Sequence, residues 1–139
     1  MDNNVIMSLV NEAKKVARHN KCCKYSKFTV GAAVLCSNGK VYTGCNIENH
    51  GIMSICAERV CLSKALSEDE TDFICIAIVG KNLTDEFFKE TLPCGYCRQF
   101  MSEYCGRDFK IYTYDEENNV LNIHSLEELL PYAFNFKED

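Results

Sequence analysis

The chain has 139 residues, 47% of them apolar, which suits one compact domain, predicted over residues 1–139, and excludes intrinsic disorder. A formal net charge of −5, with lysines and arginines scattered rather than clustered, argues against a surface built to grip a phosphate backbone. No stretch approaches the roughly 20 apolar residues that span a bilayer, and Met1-Asp2-Asn3-Asn4 lacks a signal-peptide pattern, so a soluble cytoplasmic protein is expected.

From Val5, the residues Val5, Ile6, Leu9, Val10, Ala13, Val16 and Ala17 recur at helical spacing opposite a charged face, predicting an amphipathic helix. Phe28 to Cys36 and Lys40 to Ile47 are β-rich runs joined by Ser37-Asn38-Gly39, where Asn-Gly supplies the positive φ angles of a tight hairpin. A glycine-containing loop, Asn49 to Ser54, leads to a predicted helix from Cys56 to Leu66. Phe73 to Val79 is short and apolar throughout, the pattern of a strand covered on both faces. Pro93 opens a helix over Cys94 to Cys105, since proline is tolerated where a helix N–H has no partner. Lys110 to Tyr114 and Val120 to Ile123 read as strands around a polar turn. Ser125-Leu126-Glu127-Glu128 is a capping box for a last short helix ending near Leu130, before Pro131. The order predicts a three-layer α/β/α domain with a mixed central sheet.

The ten cysteines would suggest disulfides in a short secreted chain. Without an export signal the compartment is expected to be reducing, so the thiols divide between apolar fillers and metal ligands. Cys22, Cys23, Cys36, Cys45, Cys61, Cys75 and Cys105 are read as small buried or surface thiols, and Tyr96 as packing.

Chemistry concentrates in Cys56-Ala57-Glu58 and Pro93-Cys94-Gly95-Tyr96-Cys97. Two thiols separated by two residues at a helix start can face one metal, and the helix dipole favours the thiolate that binds it. With Cys56 they make three ligands, leaving a fourth coordination position open, as catalytic zinc sites do. A lone Cys-x-x-Cys would equally suit a redox pair or half of a structural zinc site. No thioredoxin-like strand precedes this one, and no fourth ligand stands close to Cys56. Three thiolates also accept other soft metals, iron included. A ligand, a glutamate two residues on, and a later Pro-Cys-x-x-Cys form the pattern of zinc deaminases.

Five segments extend that likeness: Tyr25 to Ala33, Gly44-Cys45-Asn46-Ile47-Glu48-Asn49, Cys56-Ala57-Glu58-Arg59, Pro93 to Gln99, and Leu129 to Phe134. In these the chain resembles the small homo-oligomeric, tetrameric-type cytidine deaminases over nearly its whole length. The resemblance implies Cys56, Cys94 and Cys97 as ligands of one Zn2+ per chain and Glu58 as the catalytic proton shuttle. It implies Asn46 and Glu48 as ribose ligands, Phe28 as the aromatic on the pyrimidine, Ala57 as a further substrate contact, and Phe134 reaching a neighbouring subunit's site. The implied reaction is hydrolytic deamination of cytidine and 2′-deoxycytidine in pyrimidine salvage, with no polynucleotide or membrane partner. Arg59 is expected beside the ligands, because three thiolates leave zinc at a net charge of −1 that a guanidinium would offset.

His50-Gly51-Ile52-Met53-Ser54-Ile55 departs from that family, which has small residues and then a tyrosine here. His50 could contact substrate or a neighbouring subunit, or simply be solvated. A shortened glycine-containing loop is also a feature of blasticidin S deaminases, so a modified cytosine nucleoside is the alternative substrate. A nucleoside-binding module without turnover, disfavoured by Glu58, and a polynucleotide-editing deaminase, disfavoured by the net charge, complete the readings.

Overall fold

The first apolar stripe folds as α1 (Asn3–Arg18), started by Asp2, whose carboxylate accepts from the Asn4 N–H at 2.9 Å. In the computed structural model, which describes residues 1–135, it is followed by β1 (Phe28–Cys36), β2 (Val41–Cys45), α2 (Ala57–Ser67), β3 (Phe73–Asn82), α3 (Gly95–Tyr104), β4 (Lys110–Asp115), β5 (Val120–Ser125) and α4 (Leu126–Leu129). The last four residues of the predicted domain lie outside the described ones. The sheet runs β2-β1-β3-β4-β5. Only β3 and β4 are parallel, joined through α3, and the other neighbours are antiparallel. The predicted mixed sheet is therefore observed.

Each face of the sheet carries its own core. Ile6, Leu9, Val10, Ala13 and Ala17 of α1 pack with Ala33, Cys75, Ala77 and Val79 on one side. Ala57, Cys61, Leu62, Cys97, Met101 and Leu126, from α2, α3 and α4, pack with Val34, Ile76, Ile78 and Ile111 on the other. Alternate residues of the all-apolar run Phe73–Val79 in β3 thus enter opposite cores, which is why that run shows no polar alternation. On the first face α1 lies very close to β1. A Cβ built on Gly31 would fall 2.0 Å from the Ala13 carbonyl oxygen, so only glycine permits this approach.

Several boundaries differ from the sequence reading: α1 starts at Asn3, β4 ends at Asp115 and β5 at Ser125, and the hairpin and β3 differ as well. The hairpin turns through Ser37-Asn38-Gly39 as read, but β2 starts at Val41 rather than Lys40 and only Gly39 takes positive φ (+89°), while the Asn38 side chain accepts from the Lys40 N–H. β2 ends at Cys45 rather than Ile47, because the Asn46 side chain takes over pairing to β1: its Oδ1 accepts from Val30 N–H and its Nδ2 donates to the Phe28 carbonyl. β3 runs on to Asn82, since Gly80-Lys81-Asn82 pair with Val30, Thr29 and Phe28 instead of breaking the strand.

Candidate metal centre and active-site cavity

Cys56 and Cys94 are the N-cap residues of α2 and α3, both in extended conformation, and Cys97 lies in the first turn of α3. The three Sγ atoms lie within 4.8 Å of one another, with Cys56 and Cys94 at 3.7 Å. A tetrahedral zinc site with Zn–S bonds of about 2.3 Å has S–S edges of about 3.8 Å, so the cluster is already close to the size such an ion needs. The Cys97 N–H donates to Cys94 Sγ at 3.4 Å. A hydrogen bond from the Cys97 thiol, against the cost of burial and with help from Arg59 and Cys94, lowers the Cys56 thiol to about 5. The same bond to Cys56, reinforced by burial and by the nearby Glu58, raises Cys97. The two shifts are opposite in direction, as expected of two thiols that share one hydrogen bond.

Arg59 stands where the charge argument expects it, its Nη2 donating to Cys56 Sγ at 3.7 Å. Its Nε is buried and has no hydrogen-bond partner among the described residues. Tyr96, read from sequence as packing, is instead 69% exposed, and its ring lies 4.2 Å from the Arg59 guanidinium carbon. It covers the arginine by a cation–π contact rather than filling a core. Behind the centre, Arg98 binds the Pro93 carbonyl at 2.7 Å and the Leu129 carbonyl at 2.8 Å, tying the Pro-Cys-x-x-Cys segment to the chain's C-terminal part.

Glu58, one residue into α2, is only 4% exposed. Burial pushes its carboxyl up to about 7; the neighbouring Cys56 adds to this, while a backbone hydrogen bond and Arg59 oppose it. A carboxyl titrating near neutrality can both take and return a proton, which an ordinary exposed glutamate does poorly.

Cys56, Ala57, Glu58 and Cys94 form one wall of a cavity of about 310 Å³ whose remaining lining includes Phe28, Val30, Asn46, Glu48, Ser54, Thr91 and Leu92. Phe28, Asn46, Glu48 and Ala57 are therefore brought together with the thiol cluster. Phe134 is not: it is 69% exposed and lies elsewhere, its carbonyl accepting from Gln99 Nε2 at 3.3 Å. His50 also lies outside this cavity, its ring meeting Tyr25 edge-on at 6.0 Å. It lines an open cleft of about 490 Å³ that shares Ser26, Glu48 and Ser54 with the cavity.

The polar end of the cavity is more constrained than residue types alone suggest. Both lone pairs of Asn46 Oδ1 are taken, by Asn20 Nδ2 at 2.7 Å and Val30 N–H at 2.9 Å. One Nδ2 hydrogen is used on the Phe28 carbonyl. Asn46 is thus left as a donor, not the donor and acceptor its chemistry allows. Glu48 Oε1 accepts from Tyr25 N–H at 2.8 Å and Ser26 N–H at 3.0 Å. Burial would raise its pKa, but bonds from Ser26 and Tyr25, with Lys27 nearby, hold it below the ordinary carboxylate range. Sequence reasoning missed Asn20, Ser26 and Leu92; for Asn20 the only local signal was an asparagine just past the end of α1.

Residues 4–113 match the family described as the cytidine and deoxycytidylate deaminase zinc-binding region. The chain belongs to this family. The cytidine deaminase of Halalkalibacterium halodurans is 41% identical over 128 residues, 91% of each chain. The blasticidin-S deaminase of Bacillus cereus is 31% identical over 113 residues, 78% of this chain and 79% of that one. A crystal structure of cytidine deaminase from Burkholderia pseudomallei superposes with a TM-score of 0.80 at 35% identity, covering 92% of this chain and 98% of that one. A zinc cofactor accords with the family and with the three-cysteine cluster. Among the described residues, no helix is long and apolar enough to cross a membrane.

Proposed function

We propose that the protein, as a single domain in the cytoplasm, hydrolyses cytidine and 2′-deoxycytidine to uridine and 2′-deoxyuridine, releasing ammonia for pyrimidine salvage. The observation that carries this reading is the buried carboxyl of Glu58 next to three clustered thiols, in the wall of a cavity of nucleoside dimensions. Zinc held by Cys56, Cys94 and Cys97 supplies the Lewis acidity that makes water nucleophilic near neutral pH. Glu58 takes the proton from the water that adds to ring C4, returns it to N3, and passes the second proton to the departing amino group. Atoms balance: one water is consumed and one ammonia leaves. Phe28 and Leu92 offer apolar surface to the base while Ala57 lies beside Glu58. At the sugar end a hydroxyl accepts from Asn46 Nδ2 and donates to the free oxygen of Glu48, the one arrangement that satisfies both groups.

Phe134, absent from its own chain's cavity, reaches the cavity of a neighbouring subunit in a homotetramer with shared sites. Support comes from its exposure and from the wholly exposed Ile52 and Tyr132, which water alone would cover in a monomer. A blasticidin S deaminase is the second reading, favoured by the open cleft beside His50, which would admit a substituent beyond the sugar. Ammonia release from equal concentrations of cytidine, 2′-deoxycytidine and blasticidin S distinguishes the two. Turnover of both plain nucleosides above blasticidin S is expected; turnover of blasticidin S alone would replace the first reading by the second.

A further inference from the structure

Asn20 has no place in the roles above and does not line the cavity, yet its side chain makes four hydrogen bonds. It is half-buried in the segment that leaves α1, bonded directly to Asn46 and linked to Glu48 through the Cys22 backbone. Its Nδ2 lies 2.7 Å from Asn46 Oδ1, 3.1 Å from the Asn46 carbonyl and 3.1 Å from Thr29 Oγ1. Its Oδ1 accepts from Cys22 N–H at 2.7 Å, and the Cys22 carbonyl accepts from Glu48 N–H at 3.0 Å. Three acceptors around one nitrogen and a backbone donor at the oxygen fix which way this amide points. The base of the network is rigid: buried Thr29 donates to the Ala17 carbonyl at 2.8 Å, and Gly31 lets α1 lie against β1.

We propose that Asn20 is a positioning residue for sugar recognition, closing the second lone pair of Asn46 so that only an N–H faces the substrate and tying the Glu48 backbone to the same support. This rests on the cytosine-nucleoside reading above. Val30 and Phe28 determine which way the Asn46 amide faces; Asn20 determines where it sits and leaves it no acceptor to offer. Its donation to Oδ1 also polarises the Asn46 amide, strengthening the remaining N–H as a donor. With Asn20 removed, the Asn46 oxygens lose a donor in a partly enclosed place, and the Cys22 to Glu48 connection loses its anchor. In this role the effect of Asn20 depends on the sugar hydroxyl that Asn46 and Glu48 hold.

The test is steady-state deamination by zinc-loaded wild type, Asn20→Ala and Asn20→Ser on cytidine, 2′-deoxycytidine and 3′-deoxycytidine, with thermal midpoints and zinc content measured alongside. Both variants should lose about tenfold in kcat/KM on cytidine, mostly through KM, as expected when a binding contact away from the reacting carbon is weakened. For the analogue lacking the hydroxyl held by Asn46 and Glu48, that loss should shrink to under about twofold, as a pairwise coupling requires. An equal loss on all three nucleosides would overturn the proposal and leave Asn20 a purely structural residue. If Ala fails to fold, the Ser variant decides by the same ratio. Wild type inactive on cytidine at full zinc would bring down the functional reading, and this proposal with it.

Discussion

Glu58→Gln separates what the carboxyl contributes to catalysis from what its burial costs the fold. In the folded chain the group binds its proton with a pKa of about 7 instead of 4.5, and a tenfold difference in proton affinity is worth about 1.4 kcal/mol. Because the folded value is the higher one, folding is penalised only where the unfolded chain has ionised and the native carboxyl has not followed freely. The penalty is near zero below pH 4.5, grows as pH rises, and is complete above about 7, where it reaches about 3 kcal/mol. Glutamine cannot ionise, so in metal-free protein the variant should gain on wild type between pH 5 and pH 8 by about 2 kcal/mol, read from urea unfolding at both values. Any constant offset from the amide cancels in that difference. Zinc-loaded Glu58→Gln should meanwhile keep its metal and lose at least about 10²-fold in turnover. A stability difference that does not change with pH would refute the burial argument, and wild-type-like turnover would refute the catalytic one.

Cys94→Ala should lose both bound zinc and activity; a variant with one zinc per chain by elemental analysis would remove Cys94 from the ligand set. Gly31→Ala should destabilise the protein by about 3 kcal/mol in urea titration, because the new methyl has no room beside the Ala13 carbonyl, and a change within about 0.5 kcal/mol would contradict that packing. Glu58→Gln and Phe134→Ala subunits, each nearly inactive alone, should recover activity when co-assembled, since a mixed site can pair an intact Glu58 with an intact Phe134. No recovery in demonstrated mixed oligomers would place Phe134 outside the neighbouring site.

Periodicity and turn chemistry made most elements legible. Of the predicted stripe Ile6, Leu9, Val10, Ala13 and Ala17 are buried, while Val5 is exposed and Val16 half-buried; the Phe28–Cys36 strand keeps its limits, and Ser125 and Glu128 form the expected capping box. The thiol cluster was legible because its members sit at helix starts marked by Pro93 and by the Cys-x-Glu spacing. What escaped were partnerships between segments far apart in sequence. Asn46 ends β2 because its side chain competes for Val30 and Phe28, and no local pattern distinguishes that from another strand residue. The same long reach hid Asn20, 26 residues before its partner. Tyr96 was misread because an aromatic between two ligands resembles a packing residue, while its contact is with the half-buried Arg59 guanidinium.

The most direct test of the account is the ultraviolet change as cytidine is incubated with protein whose zinc content is determined on the same sample. Conversion to uridine in proportion to zinc, and its loss in Glu58→Gln at unchanged zinc, is the predicted result. Fully zinc-loaded wild type that leaves cytidine and 2′-deoxycytidine unchanged would contradict it.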